Sequence, residues 1–182
     1  MAEFNNSEKV IEITKALANF FRLALSGGKE LTTVENELDH VRQYLFIQQE
    51  RYGDQLAYDI VCDDALVQMQ MPKILVQPIV ENALYHGIRG IARQGHIEIR
   101  AEVSASDILL IVKDNGEPFD LAQIDQNVSN NVAKLGGVGI KNVDERIKLY
   151  YGEEYGITID SIVGSGMTVT IKIPQNCGQL NV

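Results

Sequence analysis

An asparagine interrupts an apolar stripe on a predicted helix, and its amide could serve as a ligand. Leu75, Ile79, Asn82 and His86 share one face of that helix, because residues three or four apart lie on the same side. An unpaired amide in such a stripe is costly. Asn82 therefore either bonds a neighbouring backbone group or offers its carbonyl oxygen to Mg²⁺, a hard cation that prefers oxygen ligands and keeps substrate phosphates as others.

A carboxylate stands at the end of an apolar strand. The run DILLIVK (107–113) leads directly into Asp114, which is followed by Asn115 and Gly116. Such a carboxylate can accept a hydrogen bond from an amino group such as the exocyclic amine of adenine. Gly116 has no Cβ and would permit a flat ring to approach the backbone closely. An Asp-Asn-Gly turn that binds nothing is the alternative, and such turns are common.

Glycines lead into a further predicted helix, 141–151. Gly136, Gly137 and Gly139 precede it, and the first N–H groups of a helix have no partner within it. These N–H groups and the helix dipole favour a phosphate at that end. A tight turn without a ligand fits the same residues, so the motif alone does not decide between the two interpretations.

The elements that would position these residues follow from hydrophobic periodicity. Helices are predicted over 73–87 and 141–151, and short links indicate hairpins over 96–113 and 156–173. Hairpins with segregated helices predict an α+β fold, a two-layer α/β sandwich in which helices cover one face of a mixed, mostly antiparallel sheet. The predicted strands are 56–62, 96–103, 107–113, 156–163 and 167–173.

Two amphipathic helices are predicted before the strands. The first covers 8–25, and the second begins near Thr33, where Thr32 and Glu35 form a capping-box pattern. A short glycine link makes the two helices a hairpin. Its remaining apolar face either pairs with another subunit or covers the sheet of the same domain.

One long stretch, 117–137, follows neither period and is rich in Asn, Asp and Gln. A loop of this length within a compact domain is uncommon and is often an active-site lid or a disordered segment. We predict a lid because the ligand-type motifs flank it. A surface excursion that contains a short helix is the alternative.

Composition excludes several classes. The net charge of −9 argues against a nucleic-acid surface, which needs a basic stripe, but it permits ATP because Mg²⁺ and backbone N–H groups supply local positive potential. Cys62 and Cys177 form no C-x-x-C pair and predict neither a disulfide nor a zinc framework, which fits a reducing cytoplasm. The apolar runs are too short to span a bilayer and no leader opens the chain, although a parent protein could carry a membrane segment elsewhere.

Taken in order, these motifs resemble the catalytic domain of sensor histidine kinases, most closely the LytS/YesM-type group, in the ATPase superfamily shared with gyrase, Hsp90 and MutL. VENALYHG is similar to the family's N box, DNG to its first glycine box, GGVGIKNVDERIKLYYG to its second and GSGMTVTIKIP to its last strand-turn-strand. The resemblance implies a Bergerat-type ATP-binding catalytic domain over 53–176. Residues 1–52 would hold part of the dimerisation region and a linker helix, and 177–182 would be a tail.

The resemblance also implies roles for individual residues. Asn82 would be the magnesium ligand and Asp114 the adenine contact, and His86 and Asn142 would lie near the phosphates. No catalytic residue is implied, and a general-base role for Glu81, the carboxylate next to Asn82, is speculative. The remaining residues expected to bind ATP are Gly116, Gly137, Val138, Gly139, Ile140 and Thr168.

Four positions depart from the family pattern. Pro118 replaces the second glycine of the first glycine box, Tyr85 stands where lysine is frequent, and Met167 stands where threonine is usual. Pro78 replaces the acid that ATP-hydrolysing relatives often keep. These departures support an alternative, a degenerate ATP-binding sensor module without phosphotransfer activity. A further rival is an interaction module in which all three motifs are only turns and caps.

The P-H-F-x-(F/Y)-N motif that carries the group's phosphoacceptor histidine is absent from this sequence. We expect His40, in the second helix, to face solvent, and His96, at the start of a strand, to be structural. The resemblance implies the ATP-binding catalytic domain of a two-component protein-histidine kinase that uses ATP and Mg²⁺. It would act on a histidine upstream of this fragment, which alone would be inactive. It also implies a response regulator as partner, a homodimer through the N-terminal helices, and a cytoplasmic position in a membrane-anchored sensor.

Overall fold

A five-stranded mixed sheet forms the centre of the fold. The computed structural model describes residues 2–25, 28, 30–117, 137–162 and 166–175. The helices are α1 (Ala2–Leu25), α2 (Val34–Tyr52), α3 (Gln77–Asn82, continued as a π-helical turn over Ala83–Ile88) and α4 (Gly137–Tyr151). The strands are β1 (Leu31–Thr33), β2 (Leu56–Cys62), β3 (Gln70–Pro72), β4 (Gly95–Ser104), β5 (Asp107–Asp114), β6 (Gly156–Ile162) and β7 (Gly166–Pro174).

The main sheet has the strand order β2-β4-β5-β7-β6. β2 runs parallel to β4, and the other neighbours are antiparallel. The predicted α+β class, the mixed sheet and both hairpins are therefore confirmed. β5 is the central strand, and its last residue, Asp114, lies opposite Ile97 of β4.

Alternation along the strands gives the sheet one buried face and one half-exposed face. Helices cover the buried face, where Leu45 of α2, Ile79 of α3 and Ile147 of α4 join the strand residues in one core. Burial of these apolar side chains is the main stabilising term of such a layer. The core-facing residues of the three adjacent strands β4, β5 and β7 are Ile97, Ile99, Ala101, Ile108, Leu110, Val112, Met167, Val169, Ile171 and Ile173.

The N-terminal helices pack against each other as the predicted hairpin. α2 covers the sheet of its own domain, as one of the two interpretations proposed. His40 corrects an expectation: it is only 3% exposed and its ring stacks on Phe20 of α1 with ring centroids 4.5 Å apart. The reason is helical spacing, since His40 shares the buried face of α2 with Glu37, Val41 and Tyr44.

Several helix boundaries differ from the prediction. α1 begins at Ala2 rather than at residue 8, and α3 begins at Gln77 rather than at Lys73. Thr33, not Thr32, caps α2: its Oγ1 accepts a hydrogen bond from the N–H of Asn36 at 3.1 Å, while Thr32 is extended and pairs with Met71 in a small two-stranded sheet. α4 begins at Gly137 rather than near Lys141, so Gly137 and Gly139 belong to its first turn.

Several predicted features lie outside the described residues. They are most of the expected lid with Pro118, the tip of the last hairpin at 163–165, and the tail with Cys177. Within the described ranges, none of the helices combines the length and apolar character needed to cross a membrane.

Candidate nucleotide-binding site

Helix α3 carries Asn82 to the edge of the helical layer. Ile79 and Val80 on this helix are fully buried and anchor it to the core. Asn82 itself is 7% exposed, and its Nδ2 has no hydrogen-bond partner among the residues that the structure describes. Because a buried amide without a partner is costly, the site fits a ligand that would bind the amide.

A cleft of about 310 Å³ opens between α3 and the start of α4. It brings together four of the residues that the sequence singled out for nucleotide binding, Asn82, His86, Val138 and Gly139. Glu81 also lines it and accepts a hydrogen bond from Gln77 Nε2 at 2.8 Å. Among the described residues, the lining consists of Pro78, Glu81, Asn82, Tyr85, His86, Val138 and Gly139.

The first turn of α4 forms the wall opposite Asn82. The first N–H groups of an α-helix have no acceptor within the helix, and the helix dipole gives that end partial positive charge. Val138 is 76% exposed, and a Cβ added to Gly139 would come only within 3.7 Å of Pro78 Cβ. The N-terminal end of α4 is therefore accessible from the cleft and suited to a phosphate group.

Asp114 lies at the end of β5 and is 2% exposed. Its Oδ1 accepts a hydrogen bond from the N–H of Gly116 at 2.8 Å, and its carboxylate also accepts one from the N–H of Met167. Burial raises the pKa of Asp114, and the two backbone hydrogen bonds act in the opposite direction. The carboxylate is thus held in one orientation by the turn after β5 and by β7.

Three glycines pack closely around Asp114. A Cβ on Gly87 would lie 2.7 Å from Asp114 Oδ1, and one on Gly166 would lie 2.0 Å from Asp114 O. A Cβ on Gly116 would lie 2.1 Å from the carbonyl oxygen of Gly87, which accepts a hydrogen bond from the N–H of Glu117 at 2.9 Å. The missing Cβ of Gly116 therefore makes room for the end of α3, and the contact joins the Asp114 strand to the helix that carries Asn82.

The turn after Asp114 is fixed by its own neighbours. Asn115 Oδ1 accepts a hydrogen bond from the N–H of His96 at 2.7 Å, and its Nδ2 donates to Gln94 O at 3.0 Å. Arg93 Nη2 donates to the carbonyl oxygens of Asn115 and Gly116. Asn115 is thus a structural residue of this turn.

Sequence reasoning missed Gly87, Gly166 and Arg93. The sequence predicts only that Gly87 ends a helix, although an isolated glycine within a helical pattern is a signal of close packing. Gly166 has a positive φ of 82°, which favours glycine and fits the strand-turn-strand motif. Arg93 belongs to no motif, so its contact could come only from the fold.

Besides Asp114, Gly116 and Gly137, three expected residues are not among the described residues that line the cleft. Ile140 is fully buried in the core, and Asn142 is exposed one turn along α4, outside the cleft lining. Thr168 lies on the half-exposed face of the sheet, opposite to the face of Met167. Helix and strand periodicity turns the side chains of Ile140 and Thr168 away from the cleft, and a role for either residue in binding nucleotide stays a prediction.

The donors around the cleft bear on the kind of metal it suits. The described residues contain no cluster of three or more His, Cys, Asp or Glu side chains arranged to hold a metal ion. An ion here would depend on Asn82, water and the phosphates of a bound nucleotide. Mg²⁺ is commonly bound in this way, through few protein ligands together with substrate phosphates.

Two family matches cover most of the chain. Residues 1–56 match the family described as histidine kinase, and residues 71–176 match the family described as histidine kinase-, DNA gyrase B- and HSP90-like ATPase. The second match covers more than half of the chain. It contains Asn82, Asp114 and the whole of α4.

Curated relatives are similar over nearly the whole chain. Sensor histidine kinase BtsS of Escherichia coli (strain K12) is 31% identical over 169 residues, which are 93% of this chain and 28% of that protein. Sensor histidine kinase YesM of Bacillus subtilis (strain 168) is 29% identical over 174 residues, which are 96% of this chain and 29% of that protein. The chain therefore spans less than a third of the length of these relatives. The similarity to YesM confirms the resemblance that the motifs indicated.

A solved structure supports the fold. The histidine kinase domain from the Erythrobacter litoralis EL346 blue-light activated histidine kinase aligns with a TM-score of 0.58. The alignment covers 96% of this chain and 83% of that chain at 16% sequence identity. At this identity the likeness concerns the arrangement of helices and strands alone.

Proposed function

This chain belongs to the histidine kinase-, DNA gyrase B- and HSP90-like ATPase family, and on that premise we propose that it is the ATP-binding catalytic domain of a two-component sensor histidine kinase. Its reaction would transfer the γ-phosphate of ATP to a histidine that lies outside this chain. We place the catalytic domain at 53–176 and the partial dimerisation region and linker helix at 1–52.

The observation that carries the proposal is the buried amide of Asn82. It lies in a cleft whose opposite wall is the glycine-containing first turn of α4, and Nδ2 is unpaired among the described residues. Rotation about the last side-chain bond exchanges Oδ1 and Nδ2, so this position can present an oxygen to a cation. An acceptor for a cation opposite the N-terminal end of a helix suits a magnesium–phosphate ligand.

The residues of the chain would act mainly by positioning. Asp114 would accept a hydrogen bond from the exocyclic amine of adenine, and the N–H groups at the start of α4 would hold the phosphate chain. Asn82 would hold Mg²⁺, which when bound supplies positive charge to the phosphate oxygens. Phosphoryl transfer asks a protein for orientation and electrostatic stabilisation more than for covalent chemistry, so these positioning roles do not need Glu81 as a base.

One observation favours the alternative of a degenerate ATP-binding sensor. Among the described residues that line the cleft, none is lysine or arginine, and Tyr85 is exposed at its edge. Met167 faces the side of the sheet that Asp114 occupies. A site with these residues could bind ATP and respond to it without transferring phosphate.

The partners and location are also proposals. The outer face of α1 carries exposed apolar side chains, which would suit a homodimer through the N-terminal helices of the full protein. A response regulator would receive the phosphate from the histidine, and the domain would lie in the cytoplasm as part of a membrane-anchored sensor. The exposed apolar residues of α1 are Val10, Ile11, Leu17, Phe21 and Leu25.

Calorimetry with Mg-ATP tests the binding part of this proposal, and saturable heat is expected. The absence of heat at high ATP concentration would contradict both nucleotide-binding functions. To test the transfer step, the histidine-bearing segment of a relative is supplied as a separate polypeptide, and acid-labile phosphate is measured. Binding of ATP without labelling would contradict the kinase and favour the sensor.

A further inference from the structure

Glu37 of α2 is an acidic residue in the core, 2% exposed. Its carboxylate accepts three hydrogen bonds from consecutive backbone N–H groups just before α3. Oε2 accepts from Ile74 at 2.8 Å, and Oε1 accepts from Leu75 at 2.8 Å and from Val76 at 2.9 Å. These N–H groups precede α3, and the residue at the start of that helix, Val76, has no polar side chain with which to cap it. Glu37 therefore supplies from another helix the acceptor that a local capping residue would provide.

The segment that Glu37 holds has a conformation that its sequence disfavours. Ile74 has a φ of +59°, in the left-handed region that a β-branched residue rarely adopts. Such a conformation persists only where surrounding contacts hold it in place. The three hydrogen bonds to Glu37 are such contacts.

The same segment is also tied to α4. Arg146 Nη2 donates to the carbonyl oxygens of Lys73 at 2.7 Å and Ile74 at 2.8 Å. Residues 73–76 thus connect both walls of the cleft. One wall is α3, which follows this segment directly and carries Asn82. The other wall is the first turn of α4, the helix that also carries Arg146. A second link runs nearby, because Tyr150 donates to Glu30 Oε2 at 3.0 Å while Glu30 O accepts from the N–H of Lys73 at 3.1 Å.

We propose that Glu37 is a positioning residue of the nucleotide site, which sets the placement of Asn82 relative to the start of α4 by holding residues 74–76 between α2 and Arg146. The inference rests on the proposed Mg-ATP site. Asp114 lies on β5 and is fixed by contacts with Gly116 and Met167, so the adenine end does not depend directly on Glu37. Loss of Glu37 is therefore expected to affect the magnesium–phosphate end selectively.

The test compares ATP binding with Mg²⁺ and with EDTA, by calorimetry on the full chain at a temperature where each variant is folded. Glu37→Gln keeps the size of the side chain but offers one acceptor oxygen in place of two. We expect it to reduce the Mg²⁺-dependent gain in ATP affinity by about tenfold or more. A factor of about ten corresponds to the lower limit of the free energy lost with one hydrogen bond to a charged group. Affinity in EDTA should change much less. A role confined to general stability would shift both affinities by the same factor, and that result would overturn the inference.

Glu35→Gln is the matched control, because Glu35 is exposed on the same helix and accepts a hydrogen bond only at the surface from Gln68 Nε2 at 3.0 Å. It should retain the full Mg²⁺-dependent gain. Ile74→Gly provides a suppressor, since glycine adopts positive φ without strain. In the Glu37→Gln background it should restore part of the gain, and purely additive effects of the two substitutions would contradict the proposal.

Should Glu37→Gln fail to fold, Arg146→Lys tests the same connection. Lysine keeps the charge but has no guanidinium group and a shorter reach, so it should not reproduce the position from which Nη2 donates to both carbonyl oxygens. A reduced Mg²⁺-dependent gain is again expected, and an unchanged gain would count against the inference. The wild type separates the two hypotheses. No binding of Mg-ATP by the wild type contradicts the proposed function itself. If Mg²⁺ raises the ATP affinity of the wild type and of the variants by the same factor, that result contradicts only the role of Glu37.

Discussion

Replacing Asp114 by asparagine should lower nucleotide affinity more than it changes the stability of the fold. The buried carboxylate accepts hydrogen bonds from the N–H groups of Gly116 and Met167, and in the proposed complex it also accepts one from adenine. Asparagine has one acceptor oxygen for these three donors, where aspartate has two. The backbone N–H groups are present at all times, so the adenine amine is the donor that loses its acceptor.

The magnitude follows from the type of contact. A hydrogen bond to a charged group contributes about 1.5–3 kcal/mol, which corresponds to a roughly 10–150-fold weaker dissociation constant. The effect on folding should be smaller because two contributions oppose each other. In the variant the single amide oxygen has to serve both backbone N–H groups, which weakens these hydrogen bonds, but the substitution also removes a charge that burial disfavours, as the raised pKa of Asp114 indicates.

The assay is calorimetry with Mg-ATP, paired with urea unfolding of the same samples. Asp107→Asn is the matched control, since Asp107 begins the same strand and its carboxylate pairs with Lys172 at 3.0 Å, far along β5 from the site. A partly exposed pair of this kind contributes about 0–1 kcal/mol, and the control should bind Mg-ATP as the wild type does. The reasoning is refuted if Asp114→Asn binds as tightly as the wild type, or if the control loses as much affinity.

The remaining predictions concern pH and packing. Because burial raises the pKa of Asp114, acidification should weaken Mg-ATP binding from a higher pH than an ordinary aspartate would, and calorimetry over a pH series should show a flatter dependence for Asp114→Asn. Acidification should affect folding in the opposite direction. A group whose pKa is raised in the folded state stabilises the fold fully below its unfolded-state pKa, and this contribution is lost as pH rises through the folded-state pKa. Urea unfolding of the wild type and of Asp114→Asn over the same pH series measures this contribution. Gly116→Ala should destabilise the fold by about 1–3 kcal/mol or more, because its Cβ would lie 2.1 Å from Gly87 O. Gly139→Ala, whose Cβ meets only Pro78 Cβ at 3.7 Å, should leave stability unchanged or raise it by up to about 1 kcal/mol. Urea unfolding measures both glycine variants, and an equal loss of stability in the two would contradict the packing argument.

The sheet could be predicted from the sequence because its signal is local. DILLIVKD holds a short unbroken apolar run between charged residues, which is typical of a buried strand, and β5 places Ile108, Leu110 and Val112 in the core. Asp114 ends the central strand because the apolar run stops there. A carboxylate at that point was visible in the sequence, but the three glycines that enclose it come from distant segments and could be brought together only by the fold.

Other features depend on tertiary contacts that no local pattern contains. The strands β1 and β3 are each three residues long, which is too short for a periodic signal. They pair with each other although α2 and β2 lie between them in the sequence. His40 is a polar residue on a helix, which favoured exposure, yet α1 packs over it through Phe20. Glu37 lies among polar residues, a pattern typical of an exposed helix face. Its three backbone partners belong to a segment 37–39 residues away in the sequence, so its burial could not be predicted locally.

The placement of Asn82 opposite the start of α4 is the central claim, and one titration tests it most directly. ATP is titrated with Mg²⁺ and with EDTA into the wild type and into Asn82→Ala. Since Nδ2 of Asn82 has no partner among the described residues, truncation should leave the fold largely intact. We predict that the wild type binds ATP more tightly when Mg²⁺ is present and that the variant loses this gain. A folded variant with the full Mg²⁺-dependent gain would contradict the claim.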